Sequence, residues 1–395
     1  MVLFFITQPM LKNFKRRFSF LNIGMMNNLF WYHIFFALVY YVYSIFARSD
    51  SFAYYARSKY NYDDWLSIYE NGTQFIDFLT YPFVSWFGFS YEMMMVLFAW
   101  MGYWGFIYFY IFFKENLRFT HKFQGIDLLK ILLFLPNMHF WTVSLGKGSI
   151  IFLGLGLAIY GLSRFSKRKL ALIIGMLIVY QVRPHVFLFM GFGIVIGILT
   201  GREKIPVIHK LAMFLASVAA LIVLYDDIIA FAQLDSENLV ESFDNFSDTR
   251  AFELSKSGSG MDTSGYPLIL KLFTFWFRPL FVDAPGVLGL IVSIENVLYL
   301  ILAAKLFQRG FFRFLKLSPT VVKTSLIIFI TASIALAETL SNLGIIIRQK
   351  SMVMYFFFFV ILAFMDYKKN TAAPRKKKPI PHRENQNVIT NSQPT

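Results

Sequence analysis

The sequence predicts an all-α protein, a polytopic transmembrane helical bundle with about ten crossings. Hydrophobic residues make up 57% of the 395 residues and charged residues only 15%, which is more apolar surface than a soluble domain buries. Apolar stretches of about 20 residues recur and are followed by clusters of Lys and Arg. This alternation is typical of helices that cross a membrane.

Ten apolar stretches are the predicted crossings. In chain order they are 29–47, 91–113, 126–145, 149–162, 170–182, 185–200, 211–232, 287–307, 324–342 and 351–366. The fourth, fifth and sixth are short for a full span, so we expect these three to be tilted, broken or paired as a hairpin.

The Lys and Arg clusters predict the orientation. Six clusters fall on one side of the membrane if there are ten crossings: before the first crossing, after the second, fourth, sixth and eighth, and in the tail. Because cytoplasmic loops are enriched in Lys and Arg, both termini are predicted to be cytoplasmic. This distribution also explains the net charge of +15, so no nucleic-acid partner is predicted.

Residues 1–366 are predicted to form a single integral-membrane domain, because neither a separate soluble domain nor an internal repeat is evident. The first apolar run has no small-residue cleavage site and is predicted to be an anchor. Residues 367–395 are polar and contain the block PRKKKP. They are predicted to form a disordered basic cytoplasmic tail that lies near anionic lipid head groups.

The predicted outer loops differ from the inner ones. Residues 48–90 form a long first outer loop rich in aromatic residues, and residues 233–266 carry seven carboxylates. The stretch YPLILKLFTFWFRPLF, 266–281, is apolar, but a crossing there would reverse the topology. It is therefore predicted to be an outer interfacial or re-entrant helix.

Five cationic or potentially cationic side chains lie in predicted outer turns between apolar sequences. They are Lys147 in SLGKGS, Arg183 and His185 in YQVRPHVFLF, Arg278 in FWFRPLF and Arg348 in IIIRQKSM. An Arg at membrane depth costs about 2.5–3.5 kcal/mol on insertion scales, and such residues usually face a cavity and a partner. The alternative for each cation is that it extends to lipid head groups and binds nothing else. His185 is equally well explained as a structural histidine.

The partner that best fits these cations is the anionic head of a polyprenyl pyrophosphate. Its lipid tail stays in the bilayer, and its phosphates lie just below the outer surface. Arginine matches phosphate oxygens bidentately, and Gly146 and Gly148 would let backbone N–H groups approach the same oxygens. Lys147, Arg183, His185, Arg278 and Arg348 are therefore the predicted substrate-binding residues. For Arg278, a pair with Asp283 is the alternative.

Carboxylates in the first outer loop are candidates for a general base. Asp50 is the first choice because it lies nearest to the membrane, just after the first crossing; the alternative is a solvated loop carboxylate. Asp63, Asp64 and Glu70 are predicted to be solvated. Two further acids, Glu295 and Glu338, lie in apolar helices and are predicted to face partners in the bundle interior.

The sequence predicts no metal site and no cofactor. It contains no cysteine, and its six histidines show neither HxxxH nor HExxH spacing.

Four stretches, FLPNMHFWTVSLGKGSIIFLGLGLAIYGL, QVRPHVFLF, FTFWFRPLFVDAPG with SIEN, and LGIIIRQKSMVM, resemble bacterial O-antigen-polymerase-like and related polysaccharide-polymerase membrane proteins. The long first outer loop with Asp50 after the first helix also resembles the GT-C class of polyprenyl-phosphate-sugar glycosyltransferases. The resemblance implies that Arg183, Arg278 and Arg348 bind the carrier pyrophosphate or the sugar. Only the resemblance to the GT-C class implies that Asp50 is a base and that a divalent metal takes part.

These observations predict an integral-membrane glycosyltransferase (a hexosyltransferase) or polysaccharide polymerase. It would use polyprenyl-(pyro)phosphate-linked sugars at the outer face of the cytoplasmic membrane, in cell-surface polysaccharide synthesis. Polysaccharide-assembly proteins are the expected protein partners. Two alternatives stay open: a transporter or flippase of lipid-linked sugars, and a non-catalytic scaffold of a polysaccharide assembly complex.

Overall fold

Helices form almost all the regular structure of the computed structural model, which describes residues 1–47, 49–203 and 265–372, with isolated positions between 206 and 219 and between 260 and 263. The one sheet among these residues is a two-stranded antiparallel hairpin of β1 (Lys122–Phe123) and β2 (Ile126–Asp127). The predicted all-α fold class is confirmed.

Ten helices precede residue 203. They are α1 (Val2–Arg17), α2 (Ile23–Phe46), α3 (Asp50–Tyr60), α4 (Thr73–Tyr81), α5 (Tyr91–Asn116), α6 (Leu128–Leu133), α7 (Pro136–Thr142), α8 (Lys147–Ser163), α9 (Phe165–Val182) and α10 (Pro184–Thr200). Six more lie in the second described part. They are α11 (Leu268–Phe277), α12 (Gly286–Ala303), α13 (Phe311–Leu317), α14 (Thr320–Thr339), α15 (Leu343–Gln349) and α16 (Met354–Ala372).

Four of the described helices are long and apolar enough to cross a membrane: α2, α5, α14, and α12 together with the 3-10 turn that follows it. The last two helices, α15 and α16, form a fifth apolar unit that is bent by 57° at the break between them. The chain is therefore a helical membrane protein. The predicted crossing 211–232 lies outside the fully described ranges.

One predicted crossing is not a continuous helix. Residues 126–145 contain strand β2 and the two short helices α6 and α7. The break falls at Leu135, whose backbone is extended (φ −65°, ψ 121°), because a residue before proline is disfavoured in the helical region. Pro136 then occupies the first turn of α7, where its missing N–H costs nothing. Pro184 likewise occupies the first turn of α10, and the break before it separates α10 from α9.

Residues 48–90, the predicted first outer loop, are largely helical over their described part. They fold into α3, a 3-10 turn at Leu66–Ile68, α4 and a π-helical turn at Pro82–Trp86. The side chain of Ser49 caps α3 by accepting a hydrogen bond from the backbone N–H of Ser51 (3.3 Å). This cap places Asp50 at the first position of a helix rather than in an irregular loop.

Small residues allow close packing of the central helices. A Cβ atom on Gly156 of α8 would lie 2.7 Å from the carbonyl oxygen of Gly105 in α5. A Cβ on Gly175 of α9 would lie 2.4 Å from the backbone nitrogen of Ala158 in α8. Glycine at these contacts lets membrane helices approach backbone to backbone, which brings the turns at the helix ends together.

The stretch 266–281 forms the ten-residue helix α11, about 15 Å long and too short to span a bilayer. The indole nitrogen of Trp276 donates to the Ser333 hydroxyl of α14 (2.8 Å), while Ile269 remains exposed. The tail was predicted to be disordered from residue 367, but residues 367–372 are helical and continue α16. Residues 373–395 lie outside the described ranges.

Candidate functional site

An apolar groove of about 760 Å³ lies between α2 and α12, with α7 and α15 forming other parts of its wall. Most of its lining is aromatic or aliphatic. Its polar lining residues are few: Ser49, Asp50, Asn137, Asn342 and Arg348. An apolar pocket with a few polar groups is the usual form of a small-molecule site.

Two of the predicted site residues meet at one end of this groove. The guanidinium Nη1 of Arg348 donates to Oδ2 of Asp50 at 2.9 Å, and the Asp50 side chain is 66% exposed. Arg348 lies in the last turn of α15, a helix that the Asn342 side chain caps by accepting from the N–H of Ile345 (3.1 Å). Its guanidinium also lies 5.9 Å from the centroid of the Trp141 ring. The candidate base and a candidate phosphate ligand are therefore direct neighbours.

Lys147 is the first residue of α8, directly after the turn at Gly146, and the charges of both members of the pair act on it. Burial lowers the pKa of its ammonium group to about 8; the positive charges of Arg183, Arg348 and Arg57 act in the same direction, and Asp50 opposes them. Gly72, which lies between α3 and α4, is close, since a Cβ there would lie 3.7 Å from the Lys147 Nζ. Four cations thus converge where water is partly excluded, which favours binding of an anion.

Arg183 is held in this group by the turn between α9 and α10. The connection between α3 and α4 packs near that turn: the N–H of Gly72 donates to the carbonyl of Gln181 (2.7 Å), and the Gln181 amide donates to the hydroxyl of Tyr69. His185 follows on α10, and its ring meets the ring of Phe189 edge-on. The charge of Arg183 acts on Lys147, whereas the described ring contact of His185 is to its own helix.

Arg278 has the partner that the sequence offered as an alternative. Its guanidinium Nε pairs with the carboxylate of Asp283, five residues later. Its carbonyl oxygen accepts a hydrogen bond from Lys350 Nζ (2.7 Å). Lys147, Arg183 and Arg348 therefore form one group with Asp50, while Arg278 is engaged on the connection between α11 and α12.

Arg57 belongs to the same group and was missed by the sequence analysis. It donates to the buried carboxylate of Asp77 from Nε (2.7 Å) and Nη2 (3.1 Å), and the hydroxyl of Tyr62 donates to the same carboxylate (2.9 Å). Burial raises the pKa of Asp77, although Arg57 and Tyr62 stabilise its charged form. Helical periodicity in residues 50–60 could have identified Arg57. Asp50, Tyr54 and Arg57 follow the i, i+4, i+7 pattern of one helix face.

Tyr54 lies among the charges of this site. Its ring stands 4.9 Å from the Arg57 guanidinium, and a Cβ atom on Gly146 would lie 3.3 Å from it. Gly146 has φ +155°, a backbone conformation that side chains rarely adopt. A glycine is thus required both by the backbone and by the ring at the turn that presents Lys147.

A second polar network joins the break between α15 and α16 to helices α12 and α7. The fully buried Lys350 donates from Nζ to the carbonyl of Arg278 and to Oδ1 of Asn296 (2.8 Å). Glu295 accepts from the N–H of Asn137 (2.7 Å) and from the hydroxyl of Tyr299 (2.8 Å). A buried ammonium and a buried carboxylate are thus both hydrogen-bonded, as such groups require.

The second acid predicted to have a partner, the half-buried Glu338, pairs with Lys271. Within the part of the chain that the structure describes, no three His, Asp or Glu side chains are grouped so that they could hold a metal ion.

Comparison with protein-family models, with curated proteins and with solved structures finds no match for this chain. The assignment of a function therefore depends on the chemistry of the site. Arg57, Lys147, Arg183 and Arg348 carry four positive charges if Lys147 is protonated, against the carboxylates of Asp50 and Asp77. Such a site can bind a phosphorylated ligand and stabilise negative charge on a leaving phosphate.

Proposed function

We propose that this chain is an integral-membrane glycosyltransferase or polysaccharide polymerase, related to the O-antigen-polymerase-like or GT-C proteins, that acts on polyprenyl-(pyro)phosphate-linked sugars. One observation carries the proposal: Asp50 and Arg348 form an ion pair in the lining of an apolar groove, and Lys147, whose ammonium group experiences the charges of this pair and of Arg183, lies close to it. Such an arrangement suits a ligand with an anionic head and a long apolar tail.

The proposed reaction moves a glycosyl group from the carrier phosphate to an acceptor hydroxyl. The acceptor oxygen attacks the anomeric carbon, the bond between that carbon and the phosphate oxygen breaks, and the carrier phosphate leaves with the electron pair. Arg348, Arg183 and Lys147 stabilise the charge on the leaving phosphate. Asp50 accepts the proton of the acceptor hydroxyl, as a general base does.

The proposed topology has ten crossings with both termini in the cytoplasm, which places this site at the outer face of the cytoplasmic membrane. Contacts between turns support this arrangement. Arg348 and Asp50 both belong to predicted outer turns. Predicted inner turns also contact one another: Arg168 pairs with Glu115 (2.7 Å), and the N–H of Arg118 donates to Asp366 (2.6 Å).

Cysteine labelling tests the orientation, because the chain has no native cysteine. An impermeant thiol reagent applied to intact cells should label cysteines placed at Asn71 or Ser255. It should not label cysteines at Arg168 or Lys377 unless the cells are lysed. Labelling of position 168 in intact cells would contradict an outward-facing site.

The lipid-linked glycans of cells that lack the chain test the reaction. Accumulation of single repeat units on the carrier indicates a polymerase, and loss of one sugar indicates a single-sugar transferase. An unchanged set of lipid-linked glycans and surface polymer would refute both versions of the proposal.

A flippase for the same lipid-linked sugars is the second candidate. The bend of 57° between α15 and α16, with Lys350 fully buried beside it, favours this version, since transporters use broken helices at their binding sites. A flippase would leave complete repeat units trapped on the cytoplasmic side when it is absent. A scaffold, by contrast, would tolerate alanine at Arg183 and Arg348.

A further inference from the structure

We infer that the groove between α2 and α12 is a side entrance for one isoprenoid chain, which reaches the site from within the membrane. This inference rests on the proposed function, since the proposed ligand supplies both the anionic head and the chain. The groove itself has no counterpart among the residues that the sequence singled out, apart from Asp50 and Arg348 at its end.

The groove faces the lipid phase. Phe35 of α2 and Ile291 of α12 both line it, yet they are 55% and 41% exposed. Both belong to helices long and apolar enough to cross a membrane. Exposed apolar side chains on such helices contact acyl chains. A hydrophobic molecule can therefore move from the bilayer into the groove without passing through water.

The groove runs along α2 and has one charged end. Its α2 wall consists of residues on consecutive turns of one face, from Phe35 to Tyr43, and thus extends over about 12 Å at 1.5 Å per residue. Tyr43 lies near the end of α2 that leads to Asp50, where the Asp50–Arg348 pair provides the charged end. An anionic head at Arg348 would place the attached chain along α2 towards Phe35.

The size and lining favour one isoprenoid chain over a two-chain bilayer lipid. A cavity of about 760 Å³ is in the range that holds a single drug-sized ligand. A groove of about 12 Å covers less than half of the apolar core of a bilayer, which is about 30 Å thick. The rest of a long carrier must therefore remain in the lipid, beyond the exposed side of the groove that includes Phe35 and Ile291. The rings of Tyr40, Phe140 and Trp141 line the groove and would contact the methyl-branched chain.

The test compares single cysteines introduced into the full-length chain, purified in detergent. Ile291→Cys lies in the groove, while Ile294→Cys lies on the same helix, is 64% exposed and does not line the groove. Phe35→Cys and Leu38→Cys form a second matched pair on α2, with Leu38 59% exposed and outside the groove. Each variant is treated with N-cyclohexylmaleimide, and its affinity is then measured for geranylgeranyl diphosphate and for inorganic pyrophosphate.

We expect modification of Ile291→Cys or Phe35→Cys to weaken geranylgeranyl diphosphate binding at least tenfold and to leave pyrophosphate binding unchanged. Modification of Ile294→Cys or Leu38→Cys should change neither affinity. Unchanged geranylgeranyl diphosphate binding after modification of both groove cysteines would overturn the inference. Equal affinity for geranylgeranyl diphosphate and pyrophosphate in the unmodified chain would also overturn it, but would leave the proposed phosphate site intact. Equal affinity for a diacyl phosphate lipid would exclude the isoprenoid assignment. Failure to bind either diphosphate would contradict the proposed function as well.

Discussion

Asp50 and Arg348 are 298 positions apart in the sequence, yet their side chains form an ion pair of 2.9 Å at the end of an apolar groove. The pair joins the segment between α2 and α5 to the break between α15 and α16. A phosphate that binds Arg348 competes with the Asp50 carboxylate for the same guanidinium. Displacement of Asp50 would leave it free to accept a proton next to the bound head group, which links substrate binding to activation of the base.

Asp50→Asn should reduce glycosyl transfer by a factor of about 10²–10⁴, the usual contribution of a general base. Carrier binding should persist, because an amide leaves Arg348 free for phosphate. Transfer is measured with a lipid-linked donor, and binding with geranylgeranyl diphosphate. The exposed Asp63 and Asp64 are the matched controls, and their Asn variants should retain activity. Full activity of Asp50→Asn would exclude it as the base and favour an arginine-centred site without one.

Arg183→Ala and Arg348→Ala should each strongly reduce activity if both arginines hold one phosphate group. The activity of the double variant should then be little lower than that of the less active single variant, because the effects of groups that act as a unit are not additive. Arg183→Lys should also fail, since a lysine cannot reproduce the two-point contact of a guanidinium. Multiplying effects in the double variant would indicate two independent sites. Normal polymer from both alanine variants would mean that the two cations only contact lipid head groups.

Phosphate affinity should fall as pH rises through about 8, because Lys147 loses its positive charge near its lowered pKa. An alkyl diphosphate suits the measurement, since the second pKa of a phosphate monoester is near 6 and the ligand charge then changes little above pH 8. Lys147→Arg should bind equally well across this range, because arginine stays protonated. Parallel pH profiles for the two chains would show that Lys147 does not contact the ligand.

Arg57→Gln should lower the thermal unfolding midpoint of the purified protein. It leaves the buried Asp77 carboxylate with the Tyr62 hydroxyl as its one described side-chain donor, and loss of a hydrogen bond to a charged group costs about 1.5–3 kcal/mol. Lys59→Gln, on the same helix but exposed, is the control and should unfold at the wild-type temperature. Restoration of the midpoint by Asp77→Asn in the Arg57→Gln background would confirm that the unpaired charge is the cause. An unchanged midpoint in Arg57→Gln would show that the pair contributes no stability.

The sequence predicted the features that depend on local pattern. Apolar stretches indicated the long helices, and Pro184 indicated the turn that presents Arg183. The average hydrophobicity of residues 126–145 predicts a crossing but conceals the break before Pro136, so the division of this segment into α6 and α7 was not foreseen. Residues 50–60 are too polar for a membrane helix and were assigned to a loop, so the place of Arg57 on the same helix face as Asp50 and Tyr54 was missed.

Contacts between distant segments could not be derived in this way. Arg57 meets Asp77 only because α3 packs on α4, and Lys350 meets Asn296 only because α15 ends beside α12. Arg278 illustrates the same limit, since the sequence offered both a substrate and Asp283 as its partner. The groove likewise depends on the arrangement of α2 and α12 and leaves no signature in either helix alone.

The most direct measurement compares lipid-linked glycans in cells that lack the chain and are complemented with wild type, Arg348→Ala or Lys305→Ala. Lys305 follows α12 on the predicted cytoplasmic side and is the control. Deletion and Arg348→Ala should show the same accumulation of carrier-linked precursor, whereas wild type and Lys305→Ala should restore the mature polymer. Restoration by Arg348→Ala at wild-type expression levels, or normal glycans in the deletion strain, would contradict a phosphate-binding transferase site at the end of the groove.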